Sequence, residues 1–145
     1  MSKVFKGRVI VGGDVTGEAM VTHQGFNILA TYFRGISTGS PLCWDQNNPD
    51  LYEKVIADKI LCLPKAIGST TGGMFLECAK NTGIGPKAML YSQTVDSISV
   101  AGILMSDIWN DDKIVTVDQL GPDFLAAVKD GDPIVIHADG TVEVG

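Results

Sequence analysis

Lys59-Ile60-Leu61-Cys62-Leu63-Pro64-Lys65-Ala66-Ile67-Gly68-Ser69-Thr70-Thr71-Gly72-Gly73 is the stretch on which the fold turns. Lys59 to Leu63 is a short apolar run stopped by Pro64, which cannot donate to a sheet ladder, so it reads as a buried strand. Glycines and hydroxyls follow, and then Met74, Phe75, Cys78 and Ala79 recur near helical spacing until Asn81-Thr82-Gly83 supply a stop. A strand, a small-residue junction and a helix in direct succession are the building unit of a layered α/β protein.

Working outward, Val4 to Val11 is rich in β-branched residues, Gly12-Gly13-Asp14 signals a turn, and Glu18 to Thr22 resumes as a second strand, predicting a hairpin or a tight crossover. Gly25 to Asp50 mixes Gly, Ser, Pro, Asn and aromatics without a sustained period, which predicts a long loop with fragments of strand; Tyr32, Phe33 and Trp44 in it cover a core edge or face a partner. On the other side, Ala88 to Tyr91 reads as a strand and Ser97 to Leu104 as a short helix or strand. Lys113 to Val117 reads as a strand and Pro122 to Val128 as a helix. Asp139-Gly140, between Pro133–Ala138 and Thr141–Val144, predicts a closing hairpin. Strands outnumber helices but are interrupted by them, so an α/β barrel or layered sheet fits better than a sandwich. The 145 residues suit a single unit, 1–145, with no repeat or linker.

Lys and Arg total 11 against 17 Asp and Glu, a net charge of -6, and no basic cluster is present, which disfavours nucleic acid as a partner. No apolar run reaches the roughly 18 residues of a membrane span and the N-terminus has no continuous apolar signal core, so a cytoplasmic, membrane-free location is expected. Cys43, Cys62 and Cys78 lie too far apart for a metal knuckle; Cys62 and Cys78 sit in apolar stretches and are expected as buried thiols, with Cys43 undecided. Asp107 to Asp118, including Asp111-Asp112, has no calcium-loop spacing and reads as a solvated turn.

The Gly68–Gly73 junction is where chemistry is expected. Free backbone N–H groups and the helix dipole favour an anionic ligand there, and a serine could face it; by spacing alone the commoner role of Ser69, Thr70 or Thr71 is to cap the helix. It is neither a phosphate-binding P-loop nor a nucleophile elbow, since Gly-Lys-Ser/Thr is missing and Gly68 directly precedes Ser69. His23 and His137 have no neighbouring nucleophile or carboxylate pattern and read as surface or core-edge residues. Gly12 to Gly17 lacks dinucleotide-loop spacing.

Taken together, Gly7-Arg8-Val9-Ile10, Gly17-Glu18-Ala19, Leu63-Pro64, Gly68-Ser69-Thr70-Thr71-Gly72, Glu77 and Gly83-Ile84-Gly85-Pro86-Lys87-Ala88 resemble the aconitase X swivel domain. Lys129 to Ile136 and Gly140 to Val144 resemble its closing turn and hairpin, so the likeness runs along nearly the whole chain. The resemblance implies a swivelling β/β/α fold and a hydro-lyase small subunit that pairs, as a heterodimer, with a large aconitase X type subunit. That subunit would carry the iron–sulfur cluster, leaving no cofactor or metal on this chain. Substrates in the family are small hydroxy acids, among them cis-3-hydroxy-L-proline and phosphomevalonate. By position, Ser69 matches the family serine that takes the proton beside the substrate carboxylate, with Gly68, Thr70, Thr71, Gly72 and Lys65 as substrate-binding neighbours.

The chain departs from the family in two places. Ile67-Gly68-Ser69 stands where the family has Arg-Gly-Ser, and Lys65 replaces that charge but not its bidentate geometry. The family's Ser-Phe-Trp-Gly-Gly type loop has no clear match between Gly25 and Asp50. A non-catalytic binding or regulatory module on the same fold is therefore the alternative, with a phosphohistidine carrier using His23 as a weaker third reading.

Overall fold

A computed structural model of the chain describes residues 3–68, 72–109 and 113–145. Its first extended segment is two strands, β1 (Lys3–Lys6) and β2 (Arg8–Val11), divided at Gly7. They lie at opposite ends of an eight-stranded sheet whose other members are β3 (Val15–Val21), β5 (Ile60–Leu63), β7 (Ala88–Tyr91), β8 (Val115–Asp118), β9 (Pro133–Ile136) and β10 (Thr141–Val144). The spatial order is β1-β10-β9-β3-β5-β7-β8-β2. One continuous piece of chain thus forms both edges, and the sheet curls into a nearly closed barrel. Gly7 allows this: a Cβ there would lie 2.5 Å from the Asp118 carbonyl oxygen and from Val117 Cγ1.

The first pair of strands is not a hairpin. β2 runs antiparallel to β8, whereas β3 pairs antiparallel with β9 and parallel with β5. The turn at Gly12–Asp14 was readable in the residues; the distant partners were not, because strand propensity carries no partner identity.

β3, β5, β7 and β8 are mutually parallel, and parallel neighbours need crossovers. These are α1 (Ile28–Thr38), α2 (Gly72–Asn81) and α3 (Ser97–Trp109), with α1 packing on α2 and α2 on α3. All of β5, β7 and β8 is buried, since the two faces of these strands serve two cores. Ile60, Cys62, Ala88, Leu90, Val115 and Val117 point into the barrel, where Phe124 and Leu125 of α4 (Pro122–Ala127) join them. Leu61, Leu63, Met89 and Tyr91 pack instead with Ile28, Tyr32, Leu76 and Ile103 from the helices.

α1 corrects the expectation of a loop from Gly25 to Asp50. Its buried residues Ile28, Thr31, Tyr32 and Gly35 follow helical spacing, Asn27 caps its start and Gly39 ends it at φ 73°. β-prone Ile, Thr, Tyr and Phe, together with an internal glycine, hid the period. Gly35 is required there, since a Cβ would lie 2.7 Å from the Ser40 carbonyl oxygen. The acidic stretch is corrected at its end: Asp118 is fully buried, while Asp111 and Asp112 lie outside the described residues. Cys78 is part-exposed, whereas Cys43 and Cys62 are buried.

Candidate functional site

Two short strands continue β3 and β5 beyond the main sheet. β4 (Phe26–Asn27) and β6 (Ala66–Ile67) pair in parallel, Phe26 beside Ala66 and Asn27 beside Ile67, and the Phe26 N–H donates to the Lys65 carbonyl at 2.8 Å. This fastens the entry of α1 to the segment that leads to α2.

Because the three crossover helices all begin at the carboxyl ends of parallel strands, their N-termini come together. A cavity of about 120 Å³ at that point is lined by Ile28 at the start of α1, by Ala66, Ile67 and Gly68, by Gly72 at the start of α2, and by Asp96 and Ile98 at the start of α3. Each helix N-terminus carries a partial positive charge that favours a bound anion, offset on the α3 side by Asp96, which lines the same cavity.

The ends are held by side chains. Asn27 Oδ1 accepts from the Ala30 N–H at 3.0 Å, capping α1. Asp96 accepts from the Ser99 N–H at 2.9 Å and from its hydroxyl at 2.7 Å, capping α3. The next residue back, Val95, donates its N–H to Asp118 at 2.7 Å, and the same carboxylate receives Arg8. Arg8 thereby steadies one wall of the cavity from the far edge of the sheet. Gly68, at φ 105°, passes so close to Asn27 that a Cβ would lie 2.7 Å from Oδ1.

Of the residues expected from the sequence, Gly68 and Gly72 line the cavity. Ser69, Thr70 and Thr71 lie outside the described residues, between those two glycines. Lys65 is exposed and is not among the lining residues. Ile67 lines the cavity and is half exposed, at 50%. Asn27 and Asp96 were missed; both precede helices at cap spacing, and Asp96 with Ser99 three residues on is a readable cap signal.

The family profile of the aconitase X swivel domain matches residues 4–144. The chain belongs to the aconitase X swivel domain family. Curated relatives include the phosphomevalonate dehydratase small subunits of Thermococcus sibiricus and Archaeoglobus fulgidus, each 30% identical with 97% of both chains covered. That of Aeropyrum pernix is 28% identical over 97% of this chain and 92% of its own. Among solved structures, Thermococcus kodakaraensis aconitase X in its holo-form superposes with a TM-score of 0.82 at 28% identity, covering 99% of this chain and 98% of the other. A solution NMR structure of a UPF0107 protein gives 0.79 at 29%, with 99% of both covered. The swivelling α/β fold expected from the resemblance is the one observed, and the chain is a hydro-lyase subunit of the aconitase X type.

An iron–sulfur cluster needs several thiolates at one point. In this swivel domain Cys62 belongs to the barrel interior and Cys43 to the helix-side core against Thr31, while Cys78 lies beside Glu77 on α2. These three do not meet, and no group of three His, Cys, Asp or Glu gathers among the described residues. The chain's own residues do not fit a cluster. No helix among the described residues is long and apolar enough to cross a membrane.

Proposed function

We propose that this chain is the small subunit of a cytoplasmic two-subunit dehydratase and that Ser69 accepts a proton from a small hydroxy acid at a site shared with the large subunit. The convergence of three helix N-termini on the cavity flanked by Gly68 and Gly72 carries this reading. Dehydration removes a proton from the carbon beside the carboxylate and hydroxide from the next carbon; the C–H electron pair becomes the double bond, and proton and hydroxide leave as water. A neutral serine is a poor base and needs oriented N–H groups and exclusion of water to carry alkoxide character. Helix starts around a small, partly apolar cavity supply both, and they also hold the substrate carboxylate. An iron–sulfur cluster on the large subunit would assist departure of hydroxide.

The named relatives make phosphomevalonate the first substrate to assay. Exposed Ile67 and Met74, on or beside the segment that starts α2, support a large partner covering this end. Gly68, Thr70, Thr71, Gly72 and Lys65 are assigned to substrate binding around the serine.

The test is Ser69→Ala in the reconstituted two-subunit enzyme. Turnover is expected to fall about 10²–10⁴-fold with assembly and melting temperature retained. Full turnover in the variant refutes the serine's role. The half-exposed apolar Ile67 at the cavity favours a second reading, a non-catalytic binding module on the same fold. That reading predicts normal assembly and a Ser69→Ala complex that behaves as the wild type does, the serine then having no role.

A further inference from the structure

A second concavity lies along α1. Leu29, Ala30, Phe33 and Arg34 form one wall, and Trp44 and Gln46 form the other, around a groove of about 460 Å³. It shares no lining residue with the cavity at Gly68 and Gly72. The volume is in the range that small-molecule sites occupy, roughly 300–1,000 Å³.

Its chemistry is one-sided. Leu29, Ala30 and Phe33 recur at one and four residues along α1, so this helix carries a second apolar stripe beside its buried one at Ile28, Thr31, Tyr32 and Gly35. The polar groups lining the groove are the Arg34 guanidinium and the Gln46 carboxamide, and among the described residues no acid lines it. The guanidinium carbon stands 4.9 Å from the centroid of the Trp44 ring. Stacking of that kind fixes the plane of the guanidinium while its N–H edge remains available to an acceptor.

Among the described residues Arg34 differs from the chain's other arginine in having no carboxylate partner. Arg8 is paired with Asp118, whereas among the described residues no acid bonds Arg34, in a chain with 17 acids and 11 bases. The acid nearest Trp44 in sequence, Asp45, is only 5% exposed, and its Oδ1 accepts from the Asn47 N–H at 3.0 Å. The Trp44 indole N–H is buried without an acceptor among the described residues, and the groove's cationic group is the Arg34 guanidinium.

We infer that this groove binds a small organic anion with an apolar body, its carboxylate or phosphate on Arg34 and its hydrocarbon along Leu29, Ala30 and Phe33. The inference is independent of the role given to Ser69.

The probe is hexanoate, with hexanamide as its neutral isostere, titrated into the full-length ¹⁵N-labelled chain while the Trp44 indole N–H signal is followed. Hexanoate is expected to shift that signal saturably, and hexanamide to bind about tenfold more weakly, as befits a lost charge-assisted contact. Arg34→Gln is expected to remove the preference for the anion while leaving hexanamide binding and the rest of the spectrum unchanged; Arg34→Lys is expected to keep part of it. Equal binding of the two probes, an unaltered preference in Arg34→Gln, or the absence of any saturable shift overturns the inference. So does loss of the hexanoate response in the complex with the large subunit, which would make the groove an interface.

Discussion

Gly68 and Asn27 are in contact across the paired strands β4 and β6, with the space for a Cβ at Gly68 already filled by the Asn27 carboxamide at 2.7–2.8 Å. The same carboxamide caps α1, and Gly68 stands at φ 105°, where side-chain-bearing residues are strained. One small residue therefore satisfies two demands at the lip of the cavity.

Gly68→Ala is expected to cost about 1–3 kcal/mol from backbone strain and to displace the Asn27 cap. In the two-subunit enzyme turnover should fall far more than stability, because the cap and the segment leading to Ser69 move together. Asn27→Gly removes the obstructing carboxamide while keeping a tolerated cap residue, so in combination with Gly68→Ala it should restore part of the turnover. Unchanged turnover in Gly68→Ala would show that this lip is not part of the working site.

A second prediction concerns the closure of the barrel. Asp118 is fully buried and accepts from Arg8 Nε at 3.0 Å, from Arg8 Nη2 at 2.7 Å and from the Val95 N–H at 2.7 Å. Asp118→Ala leaves the Val95 donor without its acceptor and is expected to destabilise the chain by about 1–3 kcal/mol in urea unfolding. Asp118→Asn preserves the shape and one acceptor and should cost less. Equal losses in the two variants would show that the hydrogen bond to Val95 contributes nothing.

Much of this was legible in the residues, and what was not has physical causes. β5, α2, β7, α4 and the closing hairpin announce themselves by apolar runs, Pro64, Gly83 and Asp139-Gly140, all local signals. α1 does not, because its apolar face is built from β-prone residues and an internal glycine, and only Asn27 and Gly39 mark its ends. The cavity was half legible: Gly68 and Gly72 belong to the strand-to-helix junction, but Ile28 and Asp96 arrive through parallel pairing of distant strands. Asp118 read as part of a solvated acidic stretch because local sequence shows no partner for it; that partner, Arg8, is 110 residues away.

Thiol chemistry should follow the two cores. Burial pushes the Cys62 thiol far up, and the Cys43 thiol is raised chiefly by burial as well. Cys78 is part-exposed, with its thiol raised by partial desolvation and then by Glu77. Labelling of the native chain with a disulfide reagent should therefore be slow and confined to Cys78, rising to three thiols on unfolding. Glu77→Gln should speed the native reaction by removing the neighbouring carboxylate. Prompt native labelling at Cys62 would contradict its place inside the barrel.

The last prediction is a pH dependence. His137 Nε2 and Glu143 Oε2, on either side of the closing hairpin turn, stand 2.5 Å apart. The imidazole is held above its ordinary value near 6.5, first by this hydrogen bond, with the charges of Glu143, Asp139 and Asp14 adding to it and partial desolvation opposing it. A group with a raised folded-state pKa binds its proton more tightly in the folded chain. Its contribution to stability is therefore complete below the ordinary value and is lost as pH rises through the raised one. His137→Gln should lower the urea midpoint more at about pH 5.5 than at about pH 9, where the neutral ring no longer pairs with a carboxylate charge. A deficit that is the same at both pH values would mean that the ring contributes through packing alone.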